Sequence, residues 1–386
     1  MPYPCYNKVY TDIRGYYSTL LAIRISKNVK KVSPIKIYGI ICEYNPLHNG
    51  HIHQLQYAKK QADFVVCIMS GHFVQRGQCA VFDKFARAKA ALSCGADAVF
   101  ELPAVFTLQA AEYFALGGVL AAQNLGCTHL CFGSEAGQLF ILEPFAQAAP
   151  SARFKTQLKE GTSYGRALSS DKTQFLPNNM LGIEYLKAIK QTSGTLIPVT
   201  LQRQADFSSA HAIRQALKDG NHPEQMYPFT ESPLFFEKFF DIIKYRLLSM
   251  TAQELSHICG VSEGLEYKIK KEALNAENMD ELILNIKSKR YPYSRISRIL
   301  CCALLNIRKE TLFSLLAKPP KVRLLGIKKE KAALLSLLKN YYRAPTSIND
   351  SQTETAAAID QYATQIYSIF SSLTGNEDFT LPLIKV

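Results

Sequence analysis

Between residues 35 and 133, four short apolar runs alternate with segments of helical pattern. Residues 35–42, 63–70, 98–102 and 129–132 read as strands. Residues 51–61, 83–95 and 110–126 read as the helices between them. Strands that are apolar throughout, rather than alternating, are buried on both faces. Strand–helix alternation at this spacing requires parallel pairing with crossover helices. The predicted fold class is therefore α/β, a Rossmann-like parallel sheet whose ligands bind at the carboxyl ends of the strands. Those ends lead into residues 45–51, 71–77, 101–103 and 133–135, which are irregular segments able to face a ligand.

The rest of the chain differs. Residues 162–179 read as loops, 181–190 as a helix, 195–201 as a strand, and 208–217 as a helix capped by Ser208 or Ser209. Beyond Gly220 helices dominate (233–249, 264–274, 280–288 and 293–304), and 322–325 is the best strand signal. We place a boundary near 220, giving a catalytic domain over 34–220 and a mainly helical domain over 221–386. A length of 386 residues suits two such units. A hydrophobic content of 47% with 20% charged residues excludes global disorder. Ten cysteines without a CxxC pair fit free thiols in a reducing cytosol rather than a disulfide framework. Cys127-x-His129-x-Cys131 reads as packed cysteines, not a zinc site. No segment is long and apolar enough for a membrane span.

The formal charge of +13 is unevenly placed. Residues 1–36 carry seven basic side chains and one acidic; residues 287–331 carry thirteen basic and two acidic. The first group forms a basic N-terminal extension over 1–33. Two origins remain open for it: a flexible arm, or an upstream translation with the true start near Val32. In the second group Lys287, Lys289, Arg290, Arg295 and Arg298 interleave with Tyr291 and Tyr293. That composition suits phosphate contacts and base stacking on RNA. A further polar cluster, Gln75, Arg76, Lys84 and Arg87, is a candidate for holding an anionic substrate or RNA, with a solvated helix face as the other reading.

His48-Asn49-Gly50-His51 follows the first strand and opens a helix. Two imidazoles three residues apart beside helix N-terminal amides suit a nucleotide's phosphates and an attacked α-phosphate. The string resembles the His-x-Gly-His signature of the nucleotidyltransferase-like superfamily. Phe207-Ser208-Ser209-Ala210-His211-Ala212-Ile213-Arg214 is similar to the superfamily's late phosphate-embracing segment. Ala210 replaces the usual Thr, and Arg214 falls one residue late.

Four segments resemble the bacterial tRNA(Met) cytidine acetate ligase family more closely: Glu43-Tyr44-Asn45-Pro46-Leu47-His48-Asn49-Gly50-His51, Met69-Ser70-Gly71-His72-Phe73-Val74-Gln75-Arg76-Gly77, Phe132-Gly133-Ser134-Glu135 and Pro177-Asn178-Asn179-Met180-Leu181-Gly182. The resemblance runs from about residue 35 to the end. It implies activation of acetate by ATP as acetyl-adenylate, with Mg²⁺, and acetylation of N4 of the wobble cytidine (position 34) of elongator tRNA(Met). It implies ATP contacts at Gly39, Ile40, Ile41, Cys42, Glu43, Tyr44, Asn45, Pro46, Leu47, His48, Asn49, Gly50, His51, Ile52, His53, Gly133, Asn179 with its neighbour Asn178, and Arg203. By the superfamily match Ser208, Ser209 and Arg214 join them. His48 and His51 would be the catalytic pair. The expected partners are elongator tRNA(Met) and acetate, in the cytoplasm, with no membrane and no obligate protein partner. Two other readings stay open: a cofactor adenylyltransferase, and a non-catalytic RNA-binding protein with a nucleotide pocket.

Overall fold

The structure is a computed structural model that describes residues 35–147, 156, 176–331 apart from 193, 205 and 320, residues 334 and 342–343, and residues 355–386. The basic extension over 1–33 and most of the 162–179 loop region lie outside the described residues. The strands and helices expected near the start are present: β1 (Ile37–Cys42), α1 (Asn49–Gln61), β2 (Phe64–Ser70), the two-stranded hairpin β3 (Phe73–Val74) and β4 (Gln78–Cys79), α2 (Lys84–Ser93), β5 (Ala98–Leu102), the short α3 (Ala104–Thr107), α4 (Ala111–Asn124) and β6 (His129–Ser134). Then come α5 (Leu139–Gln147), α6 (Pro177–Gln191), β7 (Ile197–Gln202) and α7 (Ala210–Lys218).

The main sheet has eight strands, and β5, β2, β1, β6 and β7 run parallel in that order. β1 pairs with β2 on one side and β6 on the other. The chain thus leaves β1 in one direction and resumes on the opposite side at β6. The crevice at that reversal is where a ligand fits an open α/β sheet. β1, β2 and β5 are buried on both faces, as their uninterrupted apolar sequences require. One face packs on α4 and α6, through Val119, Leu120, Ile183 and Ile189; the other packs on α1 and α2, through Leu55, Ala58, Ala88 and Leu92.

The helices that follow are α8 (Phe240–Ser249), α9 (Ala252–His257), α10 (Leu265–Asn275), α11 (Met279–Ile286), α12 (Tyr293–Leu304) and α13 (Lys309–Ala317). Local signals set their starts. Thr251 and Glu254 form a reciprocal capping box on α9, and Asn278 caps α11 through Glu281 N.

The division expected at 220 is corrected here, because the sheet does not end there. β8 (Val322–Ile327) pairs antiparallel with β5, and β9 (Tyr342–Arg343) and β10 (Ile384–Lys385) pair with β8. α14 (Thr355–Ser368) and the short α15 (Glu377–Thr380) pack back on the strand ends. Asp360 accepts from Ala104 N at 2.7 Å, and Tyr367 donates to Ala80 O at 3.0 Å. A bulge between Val99 and Phe100 lets β8 fit the edge.

Four charges are buried where these pieces meet. Lys84 Nζ lies 2.8 Å from Glu101 Oε1 and 2.8 Å from Asp378 Oδ1; Arg323 Nη1 lies 2.8 Å from the same Asp378 oxygen. Two cations against two carboxylates balance. Removing one member strands a buried charge. We expect Lys84→Met to cost about 3–5 kcal/mol of stability. Denaturant unfolding should show a lower midpoint at unchanged slope; an unchanged midpoint would refute the role.

Candidate active site at the carboxyl ends of the strands

The turn after β1 is tightly held. Tyr44 takes a left-handed φ of 47° and is wholly buried, with its hydroxyl 3.4 Å from Cys67 Sγ. Asn45 accepts Val81 N at 2.8 Å through its side chain and Arg214 Nη1 at 2.7 Å through its carbonyl. His48 then caps α1: its Nδ1 accepts from Gly50 N at 3.1 Å. An imidazole nitrogen that accepts carries no proton, so neutral His48 holds its hydrogen on Nε2. The cap thereby fixes the tautomer that can donate to a phosphate oxygen.

The two histidine rings sit 3.8 Å apart at 31°, and Tyr44 meets His51 edge-on at 5.1 Å. Burial, then Arg203 and Arg214, lower the His48 pKa to about 4. Burial, then His48 and Arg203, also push His51 well below its ordinary value, with the Pro46 carbonyl acting the other way. Both are neutral at pH 7 and lie among cations. Such surroundings attract an anion.

The helix-start amides differ from the expectation. Asn49 N donates to Gln225 O, Gly50 N to His48 Nδ1, and the amides of His51 and Ile52 to His48 O. The N-terminal amides of α1 are thus engaged. A phosphate here would be met by imidazole and guanidinium donors instead.

Arg203, at the end of β7, is exposed, and its amide donates to Ser134 O at 2.9 Å. Ser209 caps α7 by accepting Ala212 N, and Ser208 N donates to Gln225 Oε1 at 2.7 Å. Phe207 packs 5.8 Å from the His53 ring. The late segment therefore flanks the histidine turn. Across the crevice Glu135 caps α6: one oxygen accepts Asn178 Nδ2 at 2.7 Å and the other Asn179 N at 2.8 Å. Asn179 Oδ1 accepts Ala136 N at 3.0 Å. Gly133 lies on β6, where the nearest atom to an added Cβ would be Leu201 O at 4.0 Å.

Several of the residues expected at the ATP site lie within β1 or are buried. Gly39, Ile40 and Ile41 lie inside β1. Gly39 leaves room for Cys127, Ile40 is wholly buried, and Ile41 packs on Gly118. They form the strand beneath the site, and the side chains of Ile40 and Ile41 pack into the core. Cys42 and Leu47 are likewise buried. Lys84 and Arg87 do share a helix face, but it is turned inward, with 0% exposure for each. Lys84 belongs to the buried charge cluster. Arg87 donates to the carbonyls of Phe82, Glu43, Ser70 and Gly71. Neither reaches solvent or RNA. Gln75 and Arg76 remain at the site: Gln75 N donates to Glu43 Oε1 at 2.6 Å, and Arg76 is exposed.

The basic stretch is also divided. Lys287, Lys289 and Arg290 are exposed between α11 and α12, where Arg290 pairs with Glu263 at 2.7 Å. Arg295 lies 4.4 Å over the Tyr291 ring and donates to Gly260 O, which leaves that face of Tyr291 unavailable to a base. Arg298 is packed against the hairpin turn, with Nη1 3.4 Å from Gln75 O, and burial lowers its pKa to about 10. Arg323 lies in β8. Sequence reasoning missed the strap over 225–227, whose contacts are backbone hydrogen bonds that leave no motif: Gln225 O accepts from Asn49 N, and Leu47 O accepts from Tyr227 N at 3.0 Å.

A His-x-Gly-His turn over the switch point of a parallel sheet, ringed by Arg and Asn, defines a nucleotidyltransferase-class enzyme. The chain matches the HIGH Nucleotidyl Transferase family over residues 35–379. A Staphylococcus haemolyticus protein named tRNA(Met) cytidine acetate ligase is 36% identical, covering 91% of this chain and 99% of its own. A Clostridium novyi protein of the same name is 35% identical, covering 89% and 98%. The Thermotoga maritima TmcAL structure bound with alpha-thio ATP has a TM-score of 0.79 and 28% identity, covering 91% of this chain and all of that one. This chain belongs to the tRNA(Met) cytidine acetate ligase family.

Two outcomes follow from the site. The unfolded His48 has an ordinary pKa of 6.5 against about 4 when folded. The unfolded state therefore takes up the proton first as pH falls, and stability drops between pH 6.5 and about 4. His48→Asn, which can still cap α1, should remove about 3 kcal/mol of that acid-induced loss. Gln225→Met leaves Ser208 N unpaired beside the site. We expect KM for ATP to rise about tenfold with a smaller change in kcat, measured by steady-state kinetics.

Proposed function

We propose that this protein is an ATP-dependent ligase that activates acetate as acetyl-adenylate and acetylates N4 of the wobble cytidine, position 34, of elongator tRNA(Met). The observation that carries this reading is the near full-length likeness to proteins of that name, joined to the His48–His51 turn at the end of β1. The cytoplasm is the compartment where that tRNA is found. No helix among the described residues is long and apolar enough to cross a membrane.

The chemistry suits the residues. His48 Nε2–H, His51, Arg203 and Arg214 would surround the α- and β-phosphates and offset the charge that grows as an acetate oxygen attacks the α-phosphorus. Acetate is a weak nucleophile, and its repulsion from a polyanion is the main barrier; fixed cations and in-line placement lower it. Pyrophosphate leaves. The cytosine amine is too weakly basic to attack free acetate, which is the chemical reason to make the mixed anhydride first. An anticodon base is already unpaired and can enter without opening a duplex. Mg²⁺ would come with the triphosphate oxygens, its usual seat. The described residues contain no cluster of three His, Cys, Asp or Glu side chains able to hold a metal.

Lys287, Lys289 and Arg290 suit the backbone of the tRNA, since they are exposed and close in sequence. Incubation with ATP, labelled acetate and total tRNA should place label on cytidine of tRNA(Met), and His51→Ala should reduce the rate at least about 100-fold. Turnover of ATP without labelled tRNA would refute the reading. Changing Lys287, Lys289 and Arg290 together to Ala should weaken tRNA binding. It should also reduce the slope of log Kd against log salt by roughly one for each phosphate no longer neutralised, with ATP affinity unchanged.

A further inference from the structure

The acyl transfer leaves one proton to place. When the cytosine N4 lone pair attacks the acetyl carbon, the C–N bond forms and the C–O bond to phosphate breaks, its electron pair leaving on AMP. The nitrogen must shed a proton as this happens. The histidines are poorly suited to take it. His48 Nδ1 is filled by Gly50 N–H and its other nitrogen already bears hydrogen. Both rings also resist protonation, for the reasons of burial and cationic surroundings given above.

The nearby carboxylates are engaged elsewhere. Asp83 caps α2 by accepting Phe85 N and Ala86 N at 2.8 Å each. Glu135 spends both oxygens on Asn178 and Asn179. Glu101 is bound to Lys84 through both oxygens, at 2.8 and 2.9 Å.

Glu43 differs. It stands at the end of β1, five residues before His48, and is partly exposed. Its Oε1 accepts Gln75 N at 2.6 Å, which orients the carboxylate. We propose that Glu43 is the proton acceptor of the acyl-transfer step, taking the N4 proton of the cytidine and passing it to solvent. This rests on the reaction proposed above.

The surroundings fit that role. Burial raises the Glu43 pKa above the ordinary carboxylate value, which makes it a stronger base. The Gln75 amide, Arg76 from the β3–β4 turn, Arg214 from α7 and Arg87 from α2 act the other way and favour the ionised form. Tyr185 from α6, Cys42 and Tyr44 are further titratable groups in this region, and burial keeps all three protonated. No cation forms a salt bridge to the Glu43 carboxylate among the described residues, so a proton has access to it.

Two assays separate the steps. Acetate-dependent exchange of labelled pyrophosphate into ATP reports activation; label passing from acetate to a tRNA(Met) transcript reports both steps. Glu43→Gln keeps an acceptor for Gln75 N and so keeps the turn. It should lower transfer about 100-fold or more while exchange falls less than about tenfold. Glu43→Asp should recover part of the transfer. The acid limb of the wild-type transfer profile should vanish in Glu43→Gln. Transfer within about threefold of wild type, or equal loss of exchange and transfer, overturns the assignment. Absence of exchange in the wild-type protein instead refutes acetate activation, and this assignment falls with it.

Discussion

Everything at the site hangs from one buried guanidinium. Arg87 is inaccessible to solvent and donates to four main-chain carbonyls: Phe82 before its own helix, Glu43 after β1, Ser70 at the end of β2 and Gly71 just beyond it. A carbonyl at the end of an inner strand has no strand partner to pair with. Left alone in the core it costs about 1–3 kcal/mol, the usual order of magnitude for a buried hydrogen bond left unmade. Arg suits this place because its planar fork addresses several acceptors at once, which a Lys ammonium does less rigidly. The loop after β1 carries the histidine turn, and the loop after β2 carries Gln75 and Arg76. One side chain thus fixes the two loops relative to each other.

That rigidity bears on the electrostatics. His48, His51, Arg203, Arg214 and Arg76 crowd one crevice with Glu43 as the carboxylate among them. The imidazoles shed their protons, because burial and neighbouring guanidiniums disfavour further positive charge. The tautomer set by the Gly50 amide then matters more than the charge. A neutral His48 still donates from Nε2, and no reorganisation is needed when an anion arrives. Preorganised donors of this kind hold their advantage because the folding energy has already been spent in placing them.

Much of the fold was legible, for a physical reason. Strands buried on both faces must be apolar throughout, so 63–70 and 98–102 stood out. The serine cap of the helix read over 208–217 was equally plain, and Ser209 supplies it. What escaped were features with no local signature. β8 carries the basic Arg323 in a run of positive charge, yet lies inside the sheet because Asp378, 55 residues later, neutralises it. Lys84 and Arg87 sit at helical spacing with charge, the usual mark of a solvated face. Only the carboxylates and carbonyls brought from β1, β2, β5 and the C-terminal segment turn that face inward. At the candidate site the His turn and the Ser208–Arg214 segment were readable as motifs. The Gln225 strap was not, because its contacts with the histidine turn run through the main chain and its side-chain bond from Ser208 N spans 17 residues with no motif to mark it.

The same long-range contacts change what the basic stretch means. Gly77 stands where an added Cβ would lie 2.2 Å from Arg298 N, and Ser297 donates to its carbonyl. The hairpin turn bearing Arg76 is therefore seated directly on α12. Arg295 and Arg298, the two arginines of α12, serve this joint and the Tyr291 stack. Of the basic residues over 287–298, the ones left exposed are in the loop just before the helix, Lys287, Lys289 and Arg290, the last of them paired with Glu263. A displacement of α12 would move Gln75, and Gln75 N holds Glu43. The helix that follows the exposed basic loop is thus two hydrogen bonds, through Gln75, from the carboxylate at the end of β1. The part of the molecule suited to tRNA and the part suited to nucleotide share a rigid joint.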